Sequence, residues 1–508
     1  MARTAVTPDG GLRMGTPQGR WVLLATVLGS SLAMLDATVV NVALERIGTD
    51  LDAGFSGLQW TVNAYTLTLA SLILMGGSLG DRFGRRRVFV IGTVWFAAAS
   101  LLCGLAPDVE TLVAARALQG VGGALLTPGS LAIISASFSG ADRAAAVGAW
   151  SGLGGVAGAV GPFVGGWLVG IDWRLVFLVN LPLAAVVVAV ALRHVPESRD
   201  PEAAHHLDVT GTVLVVTGLG ALTYGLTAAG EPGRSPTVWA WVAAGLVALA
   251  AFAVVQRRSP APLVPPALFA SRQFTAANAV TLLVYAALGV VFVLLVLHLQ
   301  VVAGFAPLAA GTAVLPVTAL MLLFSARVGA LAQRIGPRPL LTAGPLVAAG
   351  GVLLTARIGE GASYLVDVLP ATAVFGAGLT MLVAPLTATV LDSAPDRFAG
   401  AASGVNNAVA RAAGLLAVAV VPVVAGIGGT DYTDPAAFGA GFRTAMVVCA
   451  GLLVAGALVA AVSVRRPLGA AEAGPQQRLP IEECAHCGVT GPQVHPRPSA
   501  SSAGEAQQ

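Results

Sequence analysis

The chain has 508 residues, 56% of them hydrophobic and only 10% charged, with a mean hydropathy of +0.81. A soluble protein carries about 25% charged residues, so this composition excludes a water-soluble globular protein and predicts a polytopic membrane protein. All 28 basic residues are arginine, the net charge is +3, and the basic patches sit in short loops, which argues against a nucleic-acid-binding surface.

A membrane span needs about 20 mostly apolar residues. Fourteen runs meet that length: residues 21–44, 58–79, 88–106, 110–137, 143–169, 174–192, 209–229, 237–255, 275–301, 307–331, 340–357, 365–391, 399–426 and 442–464. The first follows N-terminal arginines as a signal peptide would, but about 24 residues is too long for a cleavable apolar region. Polar, Pro-rich segments (193–208 and 256–274) flank spans 7 and 8. With the N-terminus inside, eighteen arginines fall on the cytoplasmic side and five outside. That positive-inside bias places both termini in the cytoplasm.

Spans 2 and 3 are joined by Gly77-Ser-Leu-Gly-Asp81-Arg82-Phe-Gly84-Arg85-Arg86-Arg87, a basic turn between two apolar runs. Its core, Gly80-Asp81-Arg82-Phe83-Gly84, returns 252 residues on as Ala332-Gln333-Arg334-Ile335-Gly336. Asp142-Arg143 likewise returns 254 residues on as Asp396-Arg397. Two matches at nearly one offset predict a duplicated six-helix half, spans 1–6 and 9–14, with spans 7 and 8 inserted. Parallel half-repeats with a site between them are a transporter architecture. The expected divisions are an N-terminal tail (1–20), a six-helix half (21–192), a linker carrying two helices (193–274), a second half (275–464) and a disordered cytoplasmic tail (465–508).

Asp36 lies inside span 1. Burying a carboxylate there costs about 2.5–3.5 kcal/mol, so it should face protein or a water-filled cavity. Desolvation favours the protonated form of a carboxyl group, which a reversible proton carrier requires. The alternative is a neutral structural hydrogen-bonder. Arg116 lies in span 4, with Gln119, Gly120 and Gly123 on the same helical face. A guanidinium stays charged at any working pH and needs a partner, for which Asp36 is the candidate; an inert ion pair is the alternative.

In span 5, Gly154, Gly158, Gly161 and Gly165 form one stripe, with Pro162 and Gly166 beside it. Close packing accounts for Gly154 and Gly158, and the Gly161-Pro162 break suggests a moving hinge. In span 13, Gly404, Asn407, Arg411 and Gly414 recur at helical spacing, with Asp392 as a candidate partner for Arg411. His298 in span 9 reads as a packed histidine or a proton relay. Asn41, Gln119, His298, Asn407 and Arg411 are the candidate cavity residues. The tail segment Cys484-Ala-His486-Cys487 is half a zinc site at best, and Cys103 and Cys449 lie in apolar runs, so neither a metal nor a disulfide framework is expected. No nucleotide-binding P-loop, haem motif or catalytic triad is evident.

These motifs together resemble the fourteen-helix drug–proton antiporter branch of the major facilitator superfamily, over about residues 20–465. Gly77-x-Leu-x-Asp81-Arg82-x-Gly84-Arg85-Arg86 is similar to its loop 2–3 signature, and Leu35-Asp36-x-Thr38-x-Val40-Asn41 to its span-1 motif. The Arg116 segment resembles the span-4 coupling motif, and Gly161-Pro162-x-x-Gly165-Gly166 the span-5 antiporter motif. Gln59-Trp60…Tyr65 and Trp173-Arg174-x-x-Phe177-x-x-Asn180-x-Pro182 are further branch-like segments. There are departures: Glu45 stands where the span-1 motif ends in Pro, Ala157 where span 5 has Gly, and Gln333 where the second loop copy would have Asp.

The resemblance implies an all-α membrane carrier, not an enzyme, without cofactors, acting as a monomer in the bacterial cytoplasmic membrane. Its partners would be protons, lipid and a small-molecule substrate: amphiphilic drugs or antibiotics exported by alternating access. Asp36 and Arg116 would couple protons, while Asp81 with Arg82, Arg85 and Arg86, flanked by Gly77 and Gly84, would latch the cytoplasmic gate. The alternatives are a specific exporter of an endogenous metabolite or antibiotic, a non-transporting receptor of the same fold, and an uptake symporter. The span-5 antiporter motif disfavours the last.

Overall fold

A computed structural model describes residues 12–200, 207–231, 236–260, 262–395, 398–429 and 433–464. Its described regular structure is helical, as a bilayer demands: without water in the hydrocarbon, backbone polar groups must be satisfied within the segment. Among the described residues fourteen helices are long and apolar enough to span. They are α1 (Pro17–Asp50), α2 (Phe55–Phe83), α3 (Arg85–Gly104), α4 (Val109–Ser137), α5 (Gly140–Val169) and α6 (Leu175–His194) in the first half. The inserted pair is α7 (Val209–Ala228) and α8 (Thr237–Arg258). The second half comprises α9 (Arg272–Val301), α10 (Pro307–Ile335), α11 (Pro337–Thr355), α12 (Tyr364–Asp392), α13 (Ala399–Val424) and α14 (Pro435–Ser463). The helices overrun the apolar runs at several ends, because caps rather than hydropathy stop them. In α1, Thr16 accepts the Gly19 amide and Pro17 fills the first turn.

The two halves repeat the same packing. In the first, α1 packs on α5 and α6, α2 on α4, and α3 on α4 and α6. Eight helices later the pairs recur: α9 on α13 and α14, α10 on α12, and α11 on α12 and α14. The loop repeat is equally visible in the backbone. Gly84 and Gly336 each end one helix and begin the next, with φ of 115° and 82°. Only glycine enters that region without strain.

The halves meet through α1 on α9, α2 on α13, and α5 on α10. On the external side the seam is hydrogen-bonded. The Phe55 amide donates to Gly429 O at 2.9 Å, Gln59 Nε2 to Val418 O at 2.6 Å, and Gln300 Nε2 to Val42 O at 3.1 Å. Towards the cytoplasm Leu153 of α5 and Leu322 and Phe324 of α10 are exposed and Gly148 and Gly152 have no atom within 4 Å of a built Cβ, while α2 and α13 stay together, Gly404 lying against Leu74. The inserted helix α7 lies against both α2 and α13, and α8 packs on α7.

Candidate functional site

Behind the wall of the central cavity is a buried polar cluster assembled by five helices. α1 brings Asp36, α4 brings Arg116 and Gln119, α3 brings Ser100, α6 brings Asn180, and α2 contributes a backbone carbonyl and Tyr65. Arg116 Nη1 donates to Asp36 Oδ2 at 2.5 Å and to Gln119 Oε1 at 2.7 Å, while its Nε donates to Thr61 O at 3.0 Å. The other carboxylate oxygen, Oδ1, accepts from Gln119 Nε2 at 2.8 Å and Asn180 Nδ2 at 3.1 Å. Gln119 and Asn180 both donate to Ser100 Oγ as well. Asp36 is 0% exposed and Arg116 1%. Stripping water from such a pair costs several kcal/mol per ion, so the pair survives only because nearly every donor and acceptor is met. The guanidinium also lies over the Tyr65 ring (4.4 Å) and near Phe177 (5.7 Å), both favourable cation–π geometries.

The two carboxylate oxygens therefore serve two different donor sets. Arg116 is the one member of the pair among the residues lining the cavity.

That cavity, about 320 Å³, lies between the halves and is lined by α1, α2, α4, α9 and α13. Its size falls in the ordinary range for small-molecule sites. Asn41, Asn63, Tyr65, Thr66, Arg116, Tyr285 and Arg411 are its polar residues, amid valine, leucine and phenylalanine.

The loop 2–3 signature is held by the chain that follows α6. Asp81 pairs with Arg85 at 2.8 Å within its own turn, and Arg82 stacks over Phe83. Glu197 caps the start of α3: its Oε1 accepts the Arg86 amide at 3.1 Å and its Oε2 the Arg87 amide at 3.2 Å. The same carboxylate lies 3.7 Å from Arg86 Nε. A carboxylate at a helix N-terminus meets free amides and the positive end of the dipole. The positive φ of Gly84 calls for glycine, and a Cβ there would come within 2.7 Å of Glu197 Oε1 and push the capping carboxylate aside. Arg85 N to Ser198 O and Asp200 N to Asp81 O, both backbone bonds, complete the strap.

The glycine stripe of α5 divides into two parts. Gly161 abuts the Thr38 hydroxyl, and a Cβ on Gly165 would sit 3.1 Å from Val39 Cα, so α5 lies hard against α1 there. Gly166 is equally tight against the start of α10, at 2.6 Å from Leu308 Cα, and Gly311 of α10 abuts the Pro162 carbonyl. Gly154 is only in ordinary contact with Met34 Sδ, and Gly158 faces open space. The packing expectation thus moves: it is Gly161, Gly165 and Gly166 that the close approach requires here, not Gly154 and Gly158.

A family model described as Major Facilitator Superfamily matches residues 26–418. The chain belongs to that superfamily. It is 36% identical to a puromycin resistance protein of Streptomyces alboniger over 427 residues, covering 83% of this chain and 85% of that one. It is also 36% identical to a probable actinorhodin transporter of Streptomyces coelicolor (82% of this chain, 74% of that one) and to a multidrug resistance protein of Mycobacterium tuberculosis (76% and 72%). Among solved structures it resembles PepTSo, a POT family transporter, with a TM-score of 0.64 at 14% identity over 87% of this chain and 97% of that one. A bacterial homologue of the lysosomal transporter Spinster, inward-facing and occupied, gives 0.61 at 17% identity (89% and 98%). Those identities speak for the fold alone. The protein is a multi-pass transporter of the bacterial cell membrane, in a family of carriers rather than enzymes.

Within this family fold the candidate cavity residues separate. Asn41 and Arg411 line the cavity. Gln119 lies behind Arg116 in the buried cluster, and Asn407 is exposed, bonded to Ser403 O of its own helix. His298 packs away from the cavity: its Nε2 meets Ile358 O at 2.9 Å and its ring stacks on Phe442 at 3.8 Å. Asp392 is exposed and makes no ion pair with Arg411. Asp396, Arg397 and the Cys484–Cys487 segment lie outside the described residues.

Asn180, Asn63 and Glu197 have no role assigned from sequence. Asn180 was within sight, since Trp173, Phe177 and Asn180 recur at helical spacing, and the structure places Phe177 and Asn180 on the Arg116–Asp36 pair. Asn63 stood out only as a polar residue in an apolar run, and nothing local marked Glu197.

Proposed function

We propose that this protein is a proton-driven exporter of small amphiphilic drugs or antibiotics. The observation that carries the reading is the Asp36–Arg116 pair: a dehydrated carboxylate whose counter-ion forms part of the wall of the central cavity. The form with the pair intact is the form ready to load substrate from the cytoplasm, after a proton has left on that side. Once the halves (21–192 and 275–464) rock about the cavity to face outward, a proton loads Asp36 and releases Arg116 as substrate departs. The turn from Gly77 to Arg86 acts as the cytoplasmic latch, and α5 is the element that bends at Gly161-Pro162.

The membrane potential supplies about 2.3 kcal/mol per elementary charge per 100 mV, so proton entry drives uphill export without ATP. The protein works as a monomer, since each chain holds a complete cavity. The names of its relatives, resistance and export proteins for individual antibiotics beside a multidrug resistance protein, also support a narrower reading as exporter of one endogenous antibiotic.

The deciding experiment uses everted vesicles from a host stripped of its own drug pumps. A respiration-generated pH gradient is followed while dyes and antibiotics that enter the vesicles are added. Collapse of the gradient with the native protein, but not with Asp36→Asn, is expected. No collapse with any compound would refute drug–proton exchange.

A further inference from the structure

The charge of the cavity, taken with its unmet hydrogen bonds, says which substrates suit it. Among its lining residues there is no ionised carboxylate facing the space: Asp36 lies behind Arg116, neutralised by it. Arg411, by contrast, lines the cavity with no ion-pair partner among the described residues, and its Nε makes no hydrogen bond. A guanidinium cannot shed its charge, so the cavity carries one uncompensated positive charge in a low-dielectric setting. On α2, Asn63 is 1% exposed, lines the same cavity, and has neither its Oδ1 nor its Nδ2 bonded. Buried amide groups are nearly always satisfied; an orphaned amide on a cavity wall is satisfied by what enters. Tyr285, on α9, and Asn41, whose Oδ1 is also unbonded, add to the polar lining.

We infer that the cavity takes amphiphilic organic anions, aromatic or polycyclic acids and phenolates, with the anionic group on Arg411 and a polar group of the scaffold on Asn63. The inference rests on the export reading above and narrows its substrate class. The chemistry is specific. A carboxylate accepts two parallel bonds from a guanidinium, while an organic cation would meet an unscreened like charge, with no acid to receive it. The apolar walls, Leu288, Phe292, Val62 and Leu415 among them, suit the fused rings of such a compound. A corollary concerns the driving force. Exchanging one proton inward for one monoanion outward moves two positive charges inward, whereas exchange for a monocation moves none, so export of anions depends on the membrane potential as well as on the pH gradient.

The test compares fluorescein, an anion, with rhodamine 6G, a cation on the same ring system, together with three aromatic carboxylic acids and their methyl esters. Binding is measured on the purified full-length protein in lipid nanodiscs, for the native chain, Arg411→Gln, Arg411→Lys and Asn63→Leu. The acids are expected to bind more tightly than their esters, fluorescein more tightly than rhodamine 6G. Arg411→Gln is expected to weaken the acids by about tenfold or more and leave the esters unchanged, since hydrogen bonds to charged groups are of that order. Arg411→Lys, which keeps the charge but loses the fork, falls between. Because Arg411 makes no ion pair here, Arg411→Gln should fold normally and unfold at no lower temperature, which separates lost recognition from lost structure.

Tighter binding of rhodamine 6G or of the esters, binding of no probe at all, or acid binding indifferent to Arg411→Gln would overturn the inference. The export reading fails separately. If vesicles exchange protons for cationic compounds in an Asp36-dependent manner, export stands and the anion class falls. If no compound of either charge moves protons while acids still bind, the site stands and proton-driven export falls.

Discussion

The Asp36–Arg116 pair admits a quantitative test by double-mutant cycle. In the native protein Oδ2 of Asp36 faces Arg116, and Oδ1 faces Gln119 and Asn180. An asparagine at this position has one acceptor and one donor, so in either orientation its NH2 group opposes one of the two donor sets. Asp36→Asn is therefore not a silent isostere, for it also strips the counter-charge from a guanidinium that is 1% exposed. Removing one partner of a buried pair costs about 3–5 kcal/mol. Arg116 keeps Thr61 O, Gln119 Oε1 and the Tyr65 face, which places the expected loss near 3 kcal/mol, at the low end of that range.

Arg116→Gln should cost a similar amount, because it leaves the carboxylate with amide donors alone. The double variant, Asp36→Asn with Arg116→Gln, carries no buried charge and should lose about 4 kcal/mol rather than the roughly 6 kcal/mol of two additive effects, a coupling energy of about 2 kcal/mol. Unfolding in a fixed detergent, followed by intrinsic fluorescence, supplies the differences, and efflux of a proton-coupled substrate should be absent from all three variants. If the single effects simply add, to within about 0.5 kcal/mol, the pair is not the interacting unit described here.

Three further outcomes follow from the packing. Glu197→Ala should lower stability by about 1 kcal/mol, as loss of a helix N-cap does, and should speed proteolytic cleavage within 195–200; unchanged stability and cleavage would count against the cap. Gly161→Val, which drives a branched side chain into Thr38, should cost about 1–3 kcal/mol as overpacked sites do, while Gly158→Ala should cost nothing, since no atom lies within 4 Å of the new Cβ; equal losses would refute the division of α5 into a packed and an open part. His298→Phe should keep the stack on Phe442 but orphan the Ile358 carbonyl, losing about 1 kcal/mol with proton-coupled efflux intact; abolished efflux at normal membrane abundance would restore a relay role for His298.

Much of this protein was determined along the chain itself. Hydropathy marks every span because lipid leaves the backbone no partner but its own helix, and the arginines orient the spans because they are counted loop by loop. The repeat was legible from Gly84 and Gly336, since a positive φ between two helices asks for glycine wherever it occurs. Asp36 and Arg116 declared themselves as charges inside apolar runs. What only the tertiary structure decided is which polar groups meet. Asn180 joins Asp36 across 144 residues of chain and Glu197 caps α3 from 111 residues away, distances at which no local pattern carries information. Arg411 and Asp392 look like partners by sequence spacing yet do not pair, and Gln119, apparently a cavity residue, faces away behind Arg116. A helical period tells which residues share a face; the packing of neighbouring helices decides whether that face meets a partner, lipid or open space.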